Sequence, residues 1–367
     1  MKTIGVDLHK ETAVVCVLND DGSIHDKRIL ATKCRNQIRE YFASYGLQCH
    51  VAVECVGFYQ WFWELVSPLV GRLLLADPAG VKTFRGREPK TDWRDALLIA
   101  NLLRDGRLPT AYIPQGPARA LRDVVRLRHN LARSLASERK QLRWVGLKMN
   151  LPGPATLTSD RAQKWLLANE FKLPPTLRTA ARLRLDHIIS LERNVTDLDR
   201  VVVEHATRTP ETARWFELLQ TIPGVGNVVA ATIIAETGDI TRFSNTDQLG
   251  AYAGLAPRVS QSGETVHHGH ITKQGPPLLR WVLQQAAWVA IRTSEEARRI
   301  FNRISRKAGA KKAATAIARK ILCYAWSVCR KGRSFEWPHA VKTGRRTAGP
   351  EAAESDKKME GAWCFQI

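Results

Sequence analysis

The sequence predicts an α/β domain at the N-terminus, then a long helical spacer, then a mainly helical C-terminal region. Three observations predict it. Strand-like runs crowd the first 76 residues and, after the third, alternate with helical stretches. From about 115 to 215 apolar residues recur at helical spacing among many arginines. Beyond 216, helical patterns flank a Pro-Gly-Val-Gly turn and fill most of the remainder.

Residues 2–8 and 12–18 read as strands. Asn19-Asp20-Asp21-Gly22 is a turn, and a third strand follows at about 23–31. A helix over 35–45 leads to a strand at His50–Val53. A second helix, about 57–69, leads to a short strand at 72–76. In the spacer, Leu121, Val124, Leu131, Leu135, Leu142, Val145 and Met149 follow a heptad interrupted by Arg128 and Glu138. Nine Lys/Arg against two acids between 117 and 149 make this stretch basic. It reads as a coiled-coil arm that joins protomers and touches nucleic acid. The competing reading is a helical pair packed on its own domain. Helices then fill 276–293, 295–306 and 310–331, and the polar tail after 333 reads as disordered. The expected domains are 1–110, 111–215, 216–332 and the tail 333–367.

The chain has 367 residues, 44% of them hydrophobic, enough for two or three domains with substantial cores. Its formal charge is +21, which concentrates polyanions and releases their counterions on binding, so nucleic acid is the expected partner. The basic residues are spread along the chain rather than gathered on one amphipathic helix, which disfavours a membrane surface. No apolar run is long enough to span a bilayer. The first residues read as a strand, not a signal peptide, so a cytoplasmic protein is expected. None of the seven cysteines forms a Cys-x-x-Cys pair, which argues for reduced thiols and against a zinc ribbon. His267, His268 and His270 lack a second pair at zinc spacing and read as solvated or phosphate-facing.

Against this basic background, four carboxylates stand out. Asp7 ends the first strand, in Gly5-Val6-Asp7, and Glu54 ends the fourth, in Val51-Ala52-Val53-Glu54. Open α/β sheets build their sites at that edge. Asp92 and Asp95 share one face of an apolar helix that could pack beside it. Carboxylates this close repel unless a cation lies between them. Mg²⁺ or Mn²⁺ is the expected cation, since these ions take oxygen ligands and bridge to phosphates. Two such ions can stabilise both the attacking and the leaving oxygen of a phosphodiester. The competing reading makes Asp92 and Asp95 ordinary helix-start acids. Asp77, before Pro78, reads as a helix N-cap. In Thr221-Ile222-Pro223-Gly224-Val225-Gly226, Gly224 and Gly226 would let the backbone approach a phosphate, as in a helix-hairpin-helix.

The order Asp7, Glu54, Asp92, Asp95 resembles the DEDD tetrad of insertion-sequence transposases of the IS-one-ten type, relatives of the Piv/MooV DNA invertases. Lys90-Thr91-Asp92-x-x-Asp95-Ala96 is similar to their motif. So are the block Leu249 to Arg258, Ser262-Gly263, and Gly269 to Gly275. The resemblance covers about residues 1–330. It implies an RNase H-like (RuvC-like) N-terminal domain that binds Mg²⁺ or Mn²⁺ through the four acids, and a C-terminal transposase domain with a nucleophilic serine. Ser262 is the matching position, and Ser260 is the other serine of the motif. Arg258 and Lys273 fall at basic positions expected to touch nucleic acid. The resemblance further implies donor and target DNA, a noncoding bridge RNA, a homo-oligomer (dimer or tetramer), acids and serine supplied by different protomers, and a prokaryotic, nucleoid-associated location. Two other classes stay open on the residues alone. One is a metal-dependent Holliday-junction-type nuclease without serine chemistry. The other is a non-catalytic nucleic-acid-binding scaffold.

Overall fold

The computed structural model describes residues 1–86, 91–112, 114, 116–153, 157–262 and 265–337, with the backbone alone at 259–262 and 265–268. It divides into two compact units, Met1–Ile113 and Pro114–Ile367.

The first unit is a sheet covered on both faces. In chain order it comprises β1 (Lys2–Leu8), β2 (Thr12–Leu18), β3 (Ile24–Ala31), α1 (Arg35–Ala43), β4 (Cys49–Glu54), α2 (Gln60–Val66), β5 (Arg72–Ala76), α3 (Pro78–Lys82) and α4 (Asp92–Arg104). The strand order is β3-β2-β1-β4-β5. The β1–β2 and β2–β3 pairs are antiparallel, and the β1–β4 and β4–β5 pairs are parallel. β1 and β2 are buried on both faces, which is why they read as near-continuous apolar runs. β3 is the exposed edge and carries Asp26, Lys27 and Arg28, charges that discourage pairing with another chain. The expected sheet pattern is present, with the second helix ending early in a 3₁₀ turn at Ser67–Leu69. Asp77 is the N-cap of α3, its carboxylate accepting the Gly80 N–H at 3.0 Å.

Strand pleating sorts the side chains between two layers. Ile4, Val6 and Leu8 join Val51, Val53, Ile38, Phe42, Phe62 and Val66 beneath α1 and α2. On the other face, Val14, Cys16 and Leu18 meet Ala96 and Ala100 of α4. Ala52 and Ala76 meet Ile99 and Leu102 of the same helix.

The second unit is mainly helical: α5 (Gly116–Lys148), α6 (Ser159–Asn169), α7 (Pro175–Ala206), α8 (Pro210–Gln220), α9 (Asn227–Thr237), α10 (Thr246–Tyr252), the hairpin β6 (Pro257–Ser262) and β7 (Thr265–Ile271), then α11 (Pro277–Thr293), α12 (Glu295–Ala308) and α13 (Ala310–Lys331). The hairpin is the element absent from the sequence expectation. α5 and α7 run antiparallel, because their ion pairs move in opposite directions along the two helices: Arg128 to Asp199, Arg139 to Glu192, Glu138 to Arg184. Leu135, Leu142 and Val145 of α5 are buried with Ala181, Leu185 and Ile188 of α7 and Trp165 of α6. The heptad seam of the spacer is therefore largely met within the same chain, as in the competing reading. Leu121 and Val125 of α5, with Val202 and Ala206 of α7, belong instead to the large core built with α8, α9, α11 and α13.

The six described cysteines form no disulfide among themselves. Among the described residues, no helix is long and apolar enough to cross a membrane. Phe335 and Trp337 stack edge-on or tilted against Tyr324, so the first residues of the expected tail are packed. Residues 338–367 of that tail, and Lys90 and Gly263 of the sequence motifs, lie outside the described residues.

Candidate active site

The first unit brings its four singled-out acids to one place, for reasons that can be followed residue by residue. β1 and β4 are parallel, with Val6 opposite Val53, so Asp7 and Glu54 leave the sheet together at its C-terminal edge. Pleating puts Asp7 on the same face as Gly5, the face that α4 covers. Gly5 lets α4 come close: a Cβ there would stand 2.1 Å from the Ala96 carbonyl oxygen and 2.5 Å from the Ala100 nitrogen. Asp95 directly precedes Ala96, and Asp92 lies one turn before it. Thr91 caps the helix, its hydroxyl accepting the Arg94 N–H. Capping is thus supplied by Thr91, and Asp95 is only 5% exposed. That burial is not what a surface acid complementing the helix dipole would have.

The electrostatics carry the same message. Asp7 is 3% exposed. Its pKa is pushed up to about 6, chiefly by burial and further by the negative fields of Glu54, Asp95 and Asp92, with His9 acting in the opposite sense. Two basic side chains that no sequence motif marks, Arg85 and His9, stand in the cluster. Arg85, just after α3, places Nη2 at 3.1 Å from Asp95 Oδ2. His9 places Nε2 at 3.2 Å from Asp7 Oδ2 and 3.5 Å from Asp92 Oδ1. Neither residue sits in a spacing that announces it, since the fold alone brings them in. One donor atom each from Asp7, His9 and Asp92 lies within 4.8 Å of the others. Oxygen donors predominate, and the His9 nitrogen is buried without an aligned hydrogen bond. These residues fit a divalent cation.

In the second unit, the segments 252–256 and 272–275 are held against each other, Thr272 N–H donating to the Ala256 carbonyl and Lys273 N–H to that of Gly254. Gly254 (φ 66°) and Gly275 (φ 122°) are left-handed, and Cβ atoms there would lie 2.4 Å from the Gln274 oxygen and 1.9 Å from the Tyr252 oxygen. Arg280 donates from Nη1 to the carbonyls of Ala253 and Gly275. Lys273 is exposed and also left-handed (φ 57°), a conformation costly for a side chain with a Cβ. Arg258 is exposed at the start of β6. Ser262 is the last residue of β6, paired with Thr265, and Ser260 is paired with His267. Between α8 and α9, Gly224 (φ 86°) meets α11: a Cβ would stand 2.2 Å from the Ala286 oxygen. Helix packing accounts for that glycine. Gly226, the N-cap of α9, has open space where a side chain would be.

Two family models match the chain. One, for DEDD transposases of the IS110 type, matches residues 4–145. The other, described as the transposase IS116/IS110/IS902 family, matches residues 216–302. The chain belongs to this family of transposases. The transposase is thereby an enzyme of DNA cleavage and transfer. The first match contains all four acids, and the second contains Ser262, Arg258 and Lys273. The transposase for insertion sequence element IS1111A of Coxiella burnetii is 25% identical, over 91% of each chain. A pilin gene-inverting protein of Moraxella bovis is 24% identical, over 91% of this chain and 97% of that one. A transposase from Sinorhizobium fredii is 30% identical over 62% of this chain, which spans only 54% of that protein's length.

Proposed function

We propose that this transposase is a metal-dependent DNA recombinase whose first unit is an RNase H-like (RuvC-like) catalytic domain. The observation that carries the proposal is the convergence of Glu54, Asp92 and Asp95 on a buried Asp7 whose carboxyl is pushed up to about 6. The sheet order and the two covered faces agree with it. Asp7, Glu54, Asp92 and Asp95 would hold Mg²⁺ or Mn²⁺. When bound, such an ion supplies charge that stabilises the attacking and leaving oxygens of a phosphodiester.

Ser262 is the proposed nucleophile. Its hydroxyl oxygen forms a bond to phosphorus as the bond to a deoxyribose oxygen breaks. The serine proton is lost, and the leaving oxygen becomes a hydroxyl. The hydroxyl of an exchanged strand reverses the step and frees the serine. Support comes from the motif match and from the terminal position of Ser262 in a two-stranded hairpin. Gly226, Arg258 and Lys273 would meet phosphates, favoured by their exposure and by the +21 charge. Gly224 would serve the same turn by packing it on α11. A bridge RNA that pairs with donor and target DNA, and assembly into a dimer or tetramer through the spacer, complete the reading; both rest on the family resemblance. Leu127, Trp144, Leu147 and Leu183 stay exposed along the spacer, as an intermolecular contact would require.

A plasmid strand-exchange assay tests the assignment. Asp92→Asn and Ser262→Ala should each lower recombination at least 10³-fold, about the cost of losing a catalytic group, with DNA binding retained. A protein–DNA covalent adduct should form in the parent and disappear in Ser262→Ala. Cleavage that persists in Ser262→Ala would favour the serine-independent nuclease.

A further inference from the structure

His9 follows Asp7 by two residues, and its side chain enters the acid cluster. Nε2 is shielded from water and aligned with no hydrogen-bond acceptor, although the side chain as a whole is 40% exposed. It lies 3.2 Å from Asp7 Oδ2 and 3.5 Å from Asp92 Oδ1. Neither contact has the geometry of a hydrogen bond. The spacings have another meaning. Around a divalent ion with bonds of about 2.1 Å, neighbouring ligand atoms stand about 3.0 Å apart in an octahedron. In a tetrahedron the separation is about 3.4 Å. The two His9 distances fall within or just beyond that range, as expected for donor atoms around a shared centre. Arg85 engages Asp95, whereas His9 pairs with Asp7 and Asp92.

We propose that His9 is a nitrogen ligand to the divalent ion held by Asp7 and Asp92, an inference that rests on the metal-site reading above. A consequence is metal choice. Mg²⁺ seeks oxygen and parts reluctantly with its water, whereas imidazole suits transition metals. A carboxylate–imidazole–carboxylate group therefore favours Mn²⁺ over Mg²⁺. The residue then tunes which ion loads the site, a role the four acids alone do not fill.

The test uses the full chain, stripped of metal, with Mn²⁺ and Mg²⁺ as probes. Pulsed electron paramagnetic resonance of bound Mn²⁺ should detect coupling to one imidazole nitrogen, and His9→Ala should abolish it. Calorimetry should find Mn²⁺ affinity lowered about tenfold or more in His9→Ala, with Mg²⁺ affinity changed much less. Bound Mn²⁺ without nitrogen coupling in the parent would overturn the proposal, and so would unchanged Mn²⁺ affinity in His9→Ala. If His9→Ala fails to fold, the resonance spectrum of the parent still decides. Parent protein that binds neither ion, like Asp92→Asn, would sink the metal site itself; an acid-bound ion lacking nitrogen coupling would sink only the role of His9.

Discussion

Each unit of this transposase buries a carboxylate, and the two are treated in opposite ways. Glu236, at the end of α9, is fully buried and held by guanidinium groups: Arg126 donates to both its oxygens at 2.8 and 3.0 Å, and Arg122 Nε lies 3.4 Å away. Arg122 also donates to the Ala235 and Glu236 carbonyls, and Tyr252 donates to the latter, so α5, α9 and α10 are tied at one point. Asp7 is almost as deeply buried, but three of the charged groups that shift it are carboxylates. One site is complete as folded. At the other, burial and the fields of neighbouring carboxylates raise the Asp7 carboxyl, a perturbation that marks a candidate binding site.

The comparison breaks most severely at the completed site. Glu236→Ala leaves Arg122, whose side chain is 12% exposed, facing a cavity with no counter-charge. Removing one partner of a buried pair costs about 3–5 kcal/mol. Denaturant unfolding should register that loss for the second unit. The metal-linked properties of the acid site should survive in whatever fraction stays folded. A loss below 1 kcal/mol would mean that Arg122 and Arg126 are solvated and the pair is not structural.

A second substitution tests how the acid cluster is built. Gly5→Ala forces a methyl group into the α4 backbone, and overpacking of this kind costs about 2–3 kcal/mol. Because the displaced helix carries Asp92 and Asp95, metal affinity should fall as well, although Gly5 touches no ligand. Retained affinity in a destabilised Gly5→Ala protein would mean that the acids do not depend on this close approach.

The two halves of the comparison were unequally legible in the sequence. β1 and β2 announce themselves as apolar runs bounded by turn residues, and Asp7 and Glu54 stand where such strands end. His9 and Arg85 gave no signal, because a lone histidine after a strand and a lone arginine in a loop become neighbours of the acids only through the packing of α3 and α4. Glu236 was equally silent. Its arginines lie more than a hundred positions away, in a spacer whose basic residues read as nucleic-acid contacts. The heptad of α5 spelled out a helix but not its partner, which is α7. The β6–β7 hairpin escaped because Ser-Gln-Ser and His-His carry no alternation of apolar and polar residues. Gly224 was legible as a glycine that must be a glycine, yet the atoms that require it belong to α11.

The smallest effect is the most diagnostic, because its sign is reversed. In the metal-free protein Asp7 titrates at about 6, above its ordinary 3.8. The folded state therefore keeps a proton that the unfolded chain releases between those values. Its contribution to stability is fully present below about pH 4 and is lost as pH rises through about 6. The loss amounts to about 1.4 kcal/mol for each pH unit between those values, and so to about 1.4 kcal/mol above pH 5. Asp92, Asp95, Glu54, His9 and Arg85 belong to the same cluster, so only the difference between parent and Asp7→Asn isolates it. With chelator present, the parent should lose stability from pH 5 to pH 8 relative to Asp7→Asn, leaving the variant the more stable protein at pH 8. Adding Mn²⁺ at a hundredfold excess over its dissociation constant should return about 2.7 kcal/mol to the parent and nothing to the variant. Parallel pH profiles would mean that Asp7 is as well compensated as Glu236. In that case the contrast between the two buried carboxylates would not mark a binding site at all.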